Sequence, residues 1–491
     1  MDFIDKIESY CTTQKSAHIY RNSNLTYMDL KTKSDSLAVK ITELFGKDKT
    51  PIIVYGHKDP LMLICFLACA KGGHPYIPVD SSTPNARLED ILLISCAKLI
   101  LNTSDNLINI SVGEMLNKRK IEEILSELQG YIPNIGYRIK NDEVYYIIYT
   151  SGSTGKPKGV QITKNCLQSF IDWGMDIIDK EDKVFMNQAP FSFDLSIMDT
   201  YLSLVSGSIL YSIDKDMIAN LPELFINFKS SGITTWVSTP SFAEMCLQSE
   251  QFNGDLLPEL RQMLFCGETL SKECAKKLFK RFSNIKIINF YGPTEATVAV
   301  TAVEIKKEML THKESLPVGY IKKDCEIIIE EITNEILIVG DSVSIGYFAD
   351  PILTEKLFFK RKISGVEKRG YRTGDTGHTI NGLLYYEGRI DNQIKLHGFR
   401  VEIEDIENNI RMLPFIENAV VVPLKENGKI KYLVTAIVLI DKFEGNIILA
   451  VKNHLKDLLP LYMVPRKVKV VEALPMNGNG KLDRKRIMEE F

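Results

Sequence analysis

The sequence has no long hydrophobic run, since its longest uninterrupted apolar stretch is LMLICFLACA, from Leu61 to Ala70. A membrane-spanning helix needs about 20 such residues, so this stretch predicts a buried helix of a globular domain. The nine cysteines also lack a pattern: no C-x-x-C pair occurs, and several, such as Cys65 and Cys246, lie in apolar runs. This scatter excludes a disulfide or zinc framework and indicates reduced thiols in a core.

The chain has little net charge of either sign. Its 60 basic and 63 acidic residues give a formal net charge of −3 at pH 7. Nothing therefore favours bulk attraction to nucleic acid or an anionic membrane. The first residues, MDFIDKIESY, are acidic and amphipathic, which is not typical of a signal peptide. Repeats and low-complexity tracts are absent as well. We therefore expect a cytoplasmic globular protein that neither enters a membrane nor binds nucleic acid.

What is present is an alternation of strand-like and helical segments, in a chain of 491 residues that is too long for one ordinary core. TPIIVYG precedes the apolar helix, and ITTWVST precedes PSFAEMCLQ. This rhythm predicts a parallel, helix-covered α/β sheet. From about Ile327 the pattern changes to short strands and turns, which predicts a small β-rich subdomain.

A third pattern begins after GRIDNQIKLHG. Ile403, Ile406, Ile410 and Leu413 fall on one helical face, and NAVVVPL and KYLVTAIVLI read as strands. These elements suffice for a small α+β domain of about 100 residues. We place its boundary at Asp391, which divides the chain into residues 1–390 and 391–491.

The stretch YIIYTSGSTGKPKGV, residues 146–160, runs from an apolar strand into a loop of hydroxyls, glycines and lysines. Glycines let the backbone approach an anion closely, and the freed amides and ammonium groups supply donors. The loop therefore suits phosphates, although an ordinary surface turn fits it equally well on its own. It is not a Walker loop, because Lys156 is followed by Pro157 and not by Ser or Thr.

Other segments carry chemistry that complements a phosphate loop. NFYGPTEAT offers an aromatic face at Tyr291 and a carboxylate at Glu295, a natural magnesium ligand beside phosphates. YRTGDTG places Asp375 in a turn, where it is either a ribose acceptor or a turn-forming residue. Lys481 follows two glycines in NGNGKLDRK and alone would be a solvated tail charge.

These motifs resemble, in order and spacing, those of the adenylate-forming enzymes, a superfamily of acyl-CoA synthetases, luciferases and peptide-synthetase adenylation domains. The segments QAPFSFDLSIMD, LFCGE and NFYGPTEATVAVT are most similar to the D-alanine–D-alanyl carrier protein ligases. The resemblance covers nearly the whole chain. It implies that a carboxylate attacks the α-phosphorus of ATP, and that a carrier protein's phosphopantetheine thiol then takes the acyl group.

The resemblance assigns roles to individual residues. Lys481, Thr294 and Glu295 are implied to be catalytic, with Glu295 also holding Mg²⁺. Asp375 would take the ribose hydroxyls and Tyr291 would stack on adenine. The implied ATP site comprises Thr150, Ser151, Gly152, Ser153, Thr154, Gly155, Lys158, Asn289, Phe290, Tyr291, Gly292, Pro293, Thr294, Asp375, Tyr386, Glu387, Gly388, Arg389 and Lys481.

A second set of residues points to the substrate. Asp194 lies in an apolar segment, where it either caps a helix or, as the resemblance implies, pairs with the α-ammonium of an amino acid. Cys266 and Val298 would line the side-chain pocket beside Lys481, and both are compact. We expect D-alanine as substrate, used for lipoteichoic acid D-alanylation, with a carrier protein supplied in trans.

Three alternatives remain open at this stage. The same chemistry could serve another small amino acid and a dedicated carrier protein. An acyl-CoA synthetase is less favoured, because its substrate has no ammonium group to pair with Asp194. A non-catalytic sensor is less favoured, because it would not need Lys481.

The two half-reactions need different approaches to one acyl carbon, so we expect residues 391–491 to rotate about a hinge at Asp391.

We predict that Lys481→Ala abolishes adenylate formation and leaves ATP binding largely intact. The charge of this lysine would count mainly in the transition state, so the expected loss is about 10²-fold to 10³-fold in rate. Pyrophosphate exchange and equilibrium ATP binding measure the two effects separately. A mutant that exchanged pyrophosphate at near wild-type rate would remove Lys481 from this role.

Overall fold

The alternation of strands and helices in the first 290 residues builds two parallel-rich sheets. A computed structural model of the protein describes residues 1–12, 14–108, 110, 112–152, 155–179, 183–363, 365–396, 398–426, 429–440, 443–475 and 482–491. Within them, the larger sheet consists of β1 Ser16–Tyr20, β2 Ser23–Thr26, β9 Val184–Asn187, β10 Ile209–Ser212, β11 Thr235–Ser238, β12 Gln262–Phe265, β13 Lys286–Tyr291, β14 Thr301–Ile305, β15 Gly319–Ile321, β16 Cys325–Ile329, β17 Glu335–Gly340, β18 Phe358–Ile363, β19 Val366–Ile380 and β20 Leu383–Arg389.

The second sheet and the C-terminal strands complete the β structure. The second sheet has the order β6-β5-β3-β4-β7-β8 and is parallel except for the final pair. Its strands are β3 Ile52–Gly56, β4 Tyr76–Asp80, β5 Leu99–Asn102, β6 Glu114–Leu116, β7 Val144–Thr150 and β8 Lys158–Thr163. The C-terminal strands are β21 Ile394–Leu396, β22 Phe399–Val401, β23 Ile416–Glu426, β24 Lys429–Leu439 and β25 Lys467–Val470.

Helices cover the sheets, as the strand-helix rhythm predicts. They are α1 Phe3–Glu8, α2 Tyr27–Phe45, α3 Leu61–Gly72, α4 Asn85–Ser95, α5 Lys118–Glu127, α6 Lys164–Ile177, α7 Leu195–Val205, α8 Lys215–Ala219, α9 Leu221–Ser231, α10 Pro240–Cys246, α11 Lys272–Arg281, α12 Pro351–Leu357, α13 Ile403–Arg411, α14 Ile447–Leu458 and α15 Arg484–Met488. The apolar stretch from Leu61 is α3, which is buried along its whole length and ends at Gly73 with φ of 87°. No helix in the described part of the chain is long and apolar enough to cross a membrane.

The larger sheet changes character at β13. Strands β1, β10, β9, β11, β12 and β13 run parallel, while β14, β15, β20 and β19 continue the same sheet in antiparallel pairing. The predicted β-rich region is therefore joined to the α/β part by backbone hydrogen bonds. Since ligands of α/β sheets bind beyond the carboxyl ends of parallel strands, the ends of β9, β11, β12 and β13 mark where a site is expected.

Residues 391–491 have a core of their own. Ile403, Ile406 and Ile410 of α13 pack with residues of β23, β24 and α14, as their spacing predicts. Leu413 lies beyond the end of α13 and is only partly buried. The fold is thus α/β, with large N-terminal sheets, a β-rich extension and a small C-terminal α+β unit, as the sequence pattern predicts.

Candidate active site

The glycine-rich loop is a hairpin turn between β7 and β8, which pair antiparallel. Lys158 is the first residue of β8, so a strand and not a helix follows the loop. A Cβ at Gly152 would lie 2.2 Å from the carbonyl oxygen of Lys156, so the tight turn requires glycine there. The buried Thr150 hydroxyl has no hydrogen-bond partner among the described residues. Ser153 and Thr154 lie outside the described residues.

Glu295 is the most deeply buried charge at the site, with no solvent exposure. It lies in the 3₁₀ turn Thr294–Ala296 that follows β13. The Tyr347 hydroxyl donates to its Oε1 at 2.7 Å, and Arg400 Nη1 donates to its Oε2 at 2.5 Å. Burial alone would raise the pKa of Glu295, but the charges of Arg400 and Lys158 outweigh it and hold that pKa at about 2. The carboxylate is therefore ionised and fully paired.

Tyr291, Asp375 and Arg389 meet where the parallel and antiparallel parts of the sheet join. The Tyr291 hydroxyl donates to Asp375 Oδ2 at 2.8 Å, and Arg389 Nη1 donates to Asp375 Oδ1 at 2.6 Å. Arg389 also holds Asp391 through Nε and Nη2, at 2.7 and 2.8 Å. Each carboxylate oxygen of Asp375 keeps lone pairs for further donors.

The turn predicted at Asp375 is wrong. The residue lies inside the long strand β19, directly opposite Arg389 of β20. A shift of register between Thr376 and Gly377, together with the left-handed Gly374 (φ of 70°), bends the strand at this point. The glycines therefore serve an irregular strand, which a sequence pattern does not distinguish from a turn.

A cavity of about 1180 Å³ lies beside this group, between the large sheet and residues 391–491. Of the residues assigned to nucleotide binding, those that line it are Phe290, Tyr291, Gly292, Tyr386, Glu387, Gly388 and Arg389. Asp391 also lies on its wall. Asn289 is not part of this lining; its side-chain amide donates to the carbonyl oxygen of Pro317 at 2.8 Å.

A smaller cavity of about 40 Å³ adjoins the first and brings together Asp194, Cys266 and Val298. Pro293, Thr294 and Asp375 lie on its wall too, and Gly292, Arg389 and Lys395 are among the residues shared with the larger cavity. Three of the four residues assigned to the amino-acid pocket are thus neighbours in space, although they are distant in sequence; the fourth, Lys481, lies outside the described residues.

Asp194 precedes α7, but its side chain makes no capping hydrogen bond to that helix. Burial raises its pKa to about 6, against the opposing effects of a hydrogen bond with Thr294 and the positive charges of Lys395 and Arg400; Glu295 acts in the same direction as burial. A carboxylate that is desolvated in this way gains from a cationic partner. The geometry therefore favours ligand binding over helix capping for Asp194.

Cys266 and Val298 form the compact end of the small cavity. Burial raises the pKa of the Cys266 thiol to about 12, so it stays protonated and acts as a small apolar group. Thr297 and Val298 both have positive φ, 59° and 67°. Such backbone is strained for β-branched residues, at a cost of about 1–3 kcal/mol each, and is found mainly at functional sites.

Lys395, Gly398 and Arg400 line this cavity as well. The Gly398 N–H donates to Glu268 Oε1 at 2.7 Å, and its φ of 85° is left-handed. A Cβ on Gly398 would lie 2.4 Å from Thr239 Cγ2, so only glycine fits so close to the loop after β11. Lys481 lies outside the described residues, and its role stays a prediction.

Several neighbours of the site were missed by the sequence patterns. Arg400 and Glu402 carry charges that reach the site only through folding. Glu268 accepts a hydrogen bond from the Gly398 N–H. Lys58 is fully buried below the segment that leads to Asp194, where its Nζ donates to Asn187 Oδ1 at 2.5 Å and to the carbonyl oxygen of Ala189. No motif marks Lys58, whereas Glu268 is the last residue of the segment LFCGE.

Comparisons with known proteins agree with this geometry. The family model described as AMP-binding enzyme matches residues 8–348, and the model for the C-terminal domain of AMP-binding enzymes matches residues 405–481. The chain belongs to the AMP-binding enzyme family. This membership confirms the resemblance to adenylate-forming enzymes.

Curated relatives of this AMP-binding enzyme are proteins named D-alanine–D-alanyl carrier protein ligase. Those from Bacillus cytotoxicus and from Bacillus cereus are each 47% identical, over 100% of this chain and 99% of theirs. Solved structures with the same fold include an NRPS protein with adenylation and PCP domains, at 23% identity and a TM-score of 0.86, covering 100% of this chain and 84% of that one. The Vibrio cholerae adenylation domain AlmE, in complex with glycyl-adenosine-5'-phosphate, has 24% identity and a TM-score of 0.80, covering 100% and 97%.

Proposed function

We propose that this enzyme activates D-alanine with ATP to form D-alanyl-AMP, and then transfers the D-alanyl group to the phosphopantetheine thiol of a carrier protein. The observation that carries the proposal is the position of Asp194. A desolvated carboxylate stands at a very small cavity, which also has Asp375 on its wall and adjoins a much larger cavity bordered by Tyr291, Tyr386 and Arg389. A small ammonium-bearing substrate joined to a nucleotide matches this pair of cavities.

The amino acid would be held by charge at one end and by size at the other. Asp194 would pair with the α-ammonium, which replaces the water that the carboxylate has lost. Cys266 and Val298 would contact the methyl group and crowd a longer side chain. The name shared by the relatives supports D-alanine as the amino acid, and with it a role in lipoteichoic acid D-alanylation.

The residues present fit ATP and Mg²⁺. The Thr150 hydroxyl, which has no partner among the described residues, the tight turn at Gly152 and the buried Lys158 offer donors for β- and γ-phosphates. Glu295 would bind Mg²⁺; among the described residues no cluster of three acidic, histidine or cysteine ligands exists. This suits an ion that is bound by one carboxylate and substrate phosphates. When bound, Mg²⁺ would neutralise charge that builds on phosphoryl oxygens.

The first half-reaction needs cations more than a general base. The carboxylate of D-alanine attacks the α-phosphorus, the bond to the β-phosphate oxygen breaks, and pyrophosphate leaves. Thr294 and Lys481 would stabilise charge on the α-phosphate, with Lys481 also holding the substrate carboxylate. Asp375 would accept from the ribose hydroxyls and Tyr291 would contact the adenine ring.

The second half-reaction needs an open path to the acyl carbon. A thiolate attacks the acyl-adenylate, AMP leaves, and the proton of the thiol passes to solvent. Lys395 and Gly398 line the small cavity in the structure. This position of the C-terminal residues supports the interpretation that the structure represents the arrangement used for the transfer step. The adenylation-PCP architecture of a structural relative supports a carrier protein as the acceptor, which here would come in trans.

A second candidate is the same chemistry with glycine or another small amino acid. The small size of the cavity favours it, and the AlmE structure contains glycyl-adenosine-5'-phosphate. An acyl-CoA synthetase is disfavoured by Asp194, which would lack an ammonium partner. A non-catalytic sensor is disfavoured by the retention of every ionisable group that the reaction needs.

Amino-acid-dependent pyrophosphate exchange tests the proposal directly. We expect D-alanine to support the fastest exchange in a panel of D-alanine, L-alanine, glycine and D-serine, with L-alanine and D-serine at least about tenfold lower in kcat/KM. A difference of that size corresponds to about 1.4 kcal/mol of contact energy with Cys266 and Val298. Exchange with glycine but not with D-alanine would favour the second candidate, and exchange with none would overturn both.

Asp194 predicts a pH dependence of amino-acid binding. Its free pKa of about 6 means that the carboxylate is ionised above that pH and protonated below it. The ammonium binds only the ionised form, so KM for D-alanine should rise about tenfold between pH 8 and pH 5. In Asp194→Asn, KM should be raised by at least about 10²-fold and should not vary with pH over this range, because the ion pair is lost. A thermal unfolding midpoint that falls while KM stays at the wild-type value would instead assign Asp194 to stability.

The hinge proposed at Asp391 predicts that the two half-reactions separate. Asp391→Pro fixes φ near −65°, so we expect it to retain pyrophosphate exchange and to reduce carrier loading by at least tenfold. Asp391→Ala is the matched control, because it removes the same contact with Arg389 but leaves φ free. Equal loss or equal retention of both activities in the proline variant would count against a hinge here.

A further inference from the structure

Residues 400–405 occupy the face of the glycine-rich loop on which phosphates would bind. The Ser151 hydroxyl donates to the carbonyl oxygen of Arg400 at 2.9 Å and accepts from the Glu402 N–H at 3.0 Å. On the far side of the loop, Arg87 lies between the carbonyl oxygen of Gly155 and Asp405 Oδ2, at 3.5 Å from each. The loop is therefore bonded directly to the residues before α13 at Ser151, and linked to α13 through Arg87 at Gly155.

Glu402 brings a carboxylate to the one lysine of the loop that is buried. Its Oε1 accepts from Lys158 Nζ at 3.1 Å and from the side-chain amide of Gln393. The Lys158 and Glu402 side chains are 10% and 9% exposed, so water screens this pair poorly. Burial lowers the pKa of Lys158, and Glu402 is one of two carboxylates that oppose this effect. An anion thus sits where the loop offers its positive charge.

Arg400 does the opposite at the neighbouring carboxylate. Its guanidinium binds Glu295 Oε2, the oxygen on the side away from Tyr347. The same group lies 3.5 Å from the Tyr371 hydroxyl. A cation thus sits where Glu295 would offer a ligand to a metal ion.

Glu402 and Arg400 together match the charges that magnesium pyrophosphate would bring to the site. Pyrophosphate with Mg²⁺ would present anionic oxygens to Lys158 and Ser151 and a cation to Glu295. The C-terminal segment presents the Glu402 carboxylate to Lys158, the Glu402 N–H and Arg400 carbonyl to Ser151, and the Arg400 guanidinium to Glu295. Lys158 therefore has an anionic partner and Glu295 a cationic partner, whether magnesium pyrophosphate or the C-terminal segment occupies the site.

We propose that Glu402 and Arg400 are positioning residues that compete with magnesium pyrophosphate for the loop and for Glu295, so that the transfer arrangement forms only after pyrophosphate has left. This inference rests on the proposed function, because it assigns Lys158 and Glu295 to the phosphates and metal of the first half-reaction. It adds a reason for the order of the two steps. A buried Lys158 and a buried Glu295 both need counter-charges, and the segment supplies them once the product is gone.

Competition has a measurable consequence in the absence of amino acid and carrier protein. If the segment covers the loop for most of the time, the apparent affinity for pyrophosphate is reduced by the fraction of molecules in which the loop is free. Weakening the segment should therefore tighten pyrophosphate binding. A residue with a merely structural role would not produce this gain when it is replaced.

Calorimetric titration with inorganic pyrophosphate in magnesium chloride tests the inference on the full-length protein. We expect Glu402→Gln to bind pyrophosphate at least about tenfold more tightly than wild type. The matched control is Glu417→Gln, an exposed glutamate of β23 in the same part of the chain, which should bind as wild type does. Lys158→Met should weaken pyrophosphate binding both in the wild-type protein and in the Glu402→Gln variant.

The same variants also separate the two half-reactions. Glu402→Gln should retain D-alanine-dependent pyrophosphate exchange and load the carrier protein at least about tenfold more slowly, with a thermal midpoint close to that of Glu417→Gln. Should Glu402→Gln fold poorly, Glu402→Asp shortens the reach to Lys158 and keeps the charge, and it should tighten pyrophosphate binding in the same direction. Unchanged or weaker pyrophosphate binding in the folded Glu402 variants would overturn the inference.

Failure of the proposed function would look different. Pyrophosphate binding that tightens in Glu402→Gln, together with no exchange for any amino acid of the panel, would leave the competition standing and remove D-alanine activation. If exchange and loading proceed normally and pyrophosphate affinity does not change in the Glu402 variants, D-alanine activation would stand and the competition would be overturned.

Discussion

A carboxylate without solvent exposure cannot be left without a positive partner, and Glu295 imposes this condition on the whole site. Removing one partner from a buried ion pair costs about 3–5 kcal/mol, more than most single contacts supply. In the described arrangement Arg400 provides the charge and Tyr347 a hydrogen bond. Lys158 adds a second positive charge nearby. The chain must therefore keep a cation at this point in every arrangement it adopts, and the choice of cation becomes a means of distinguishing one arrangement from another.

The sheet places the rest of the chemistry around that carboxylate. The carboxyl ends of β11, β12 and β13 deliver Thr239, Cys266 and Gly292, as expected for parallel strands. The antiparallel extension then returns Asp375 and Arg389 to the side of Tyr291. Because the glycine-rich loop joins two strands, it has no helix dipole to attract an anion. Its positive charge comes from side chains, and a side-chain carboxylate such as that of Glu402 can meet it.

Much of the fold follows from local pattern. The apolar stretch of α3, the spacing of Ile403, Ile406 and Ile410, and the strand before the glycine-rich loop all predict the elements that the structure contains. The grouping of Asp194, Cys266 and Val298 followed from the family resemblance, not from periodicity.

What the sequence did not reveal depends on contacts between distant segments. Asp375 lies in a bent strand because of its pairing with β20, and a turn and a bulge share the same glycine-rich composition. Val298 has a left-handed backbone that its β-branched side chain disfavours, so propensity alone predicts the wrong conformation. Lys58 is buried only because distant acceptors from Asn187 and Ala189 surround its ammonium group.

The direct cross-strand pairing of Asp375 with Arg389 limits how this protein can change in length. Side chains alternate between the two faces of a strand, so one inserted or deleted residue between Gly374 and Arg389 that shifted the register would turn one member of the pair to the opposite face. The loss would reach Tyr291 and Asp391 as well, since both depend on that pair. Length variation among related sequences is therefore expected in the connections remote from β19 and β20, whereas the hairpin itself tolerates substitution far better than insertion.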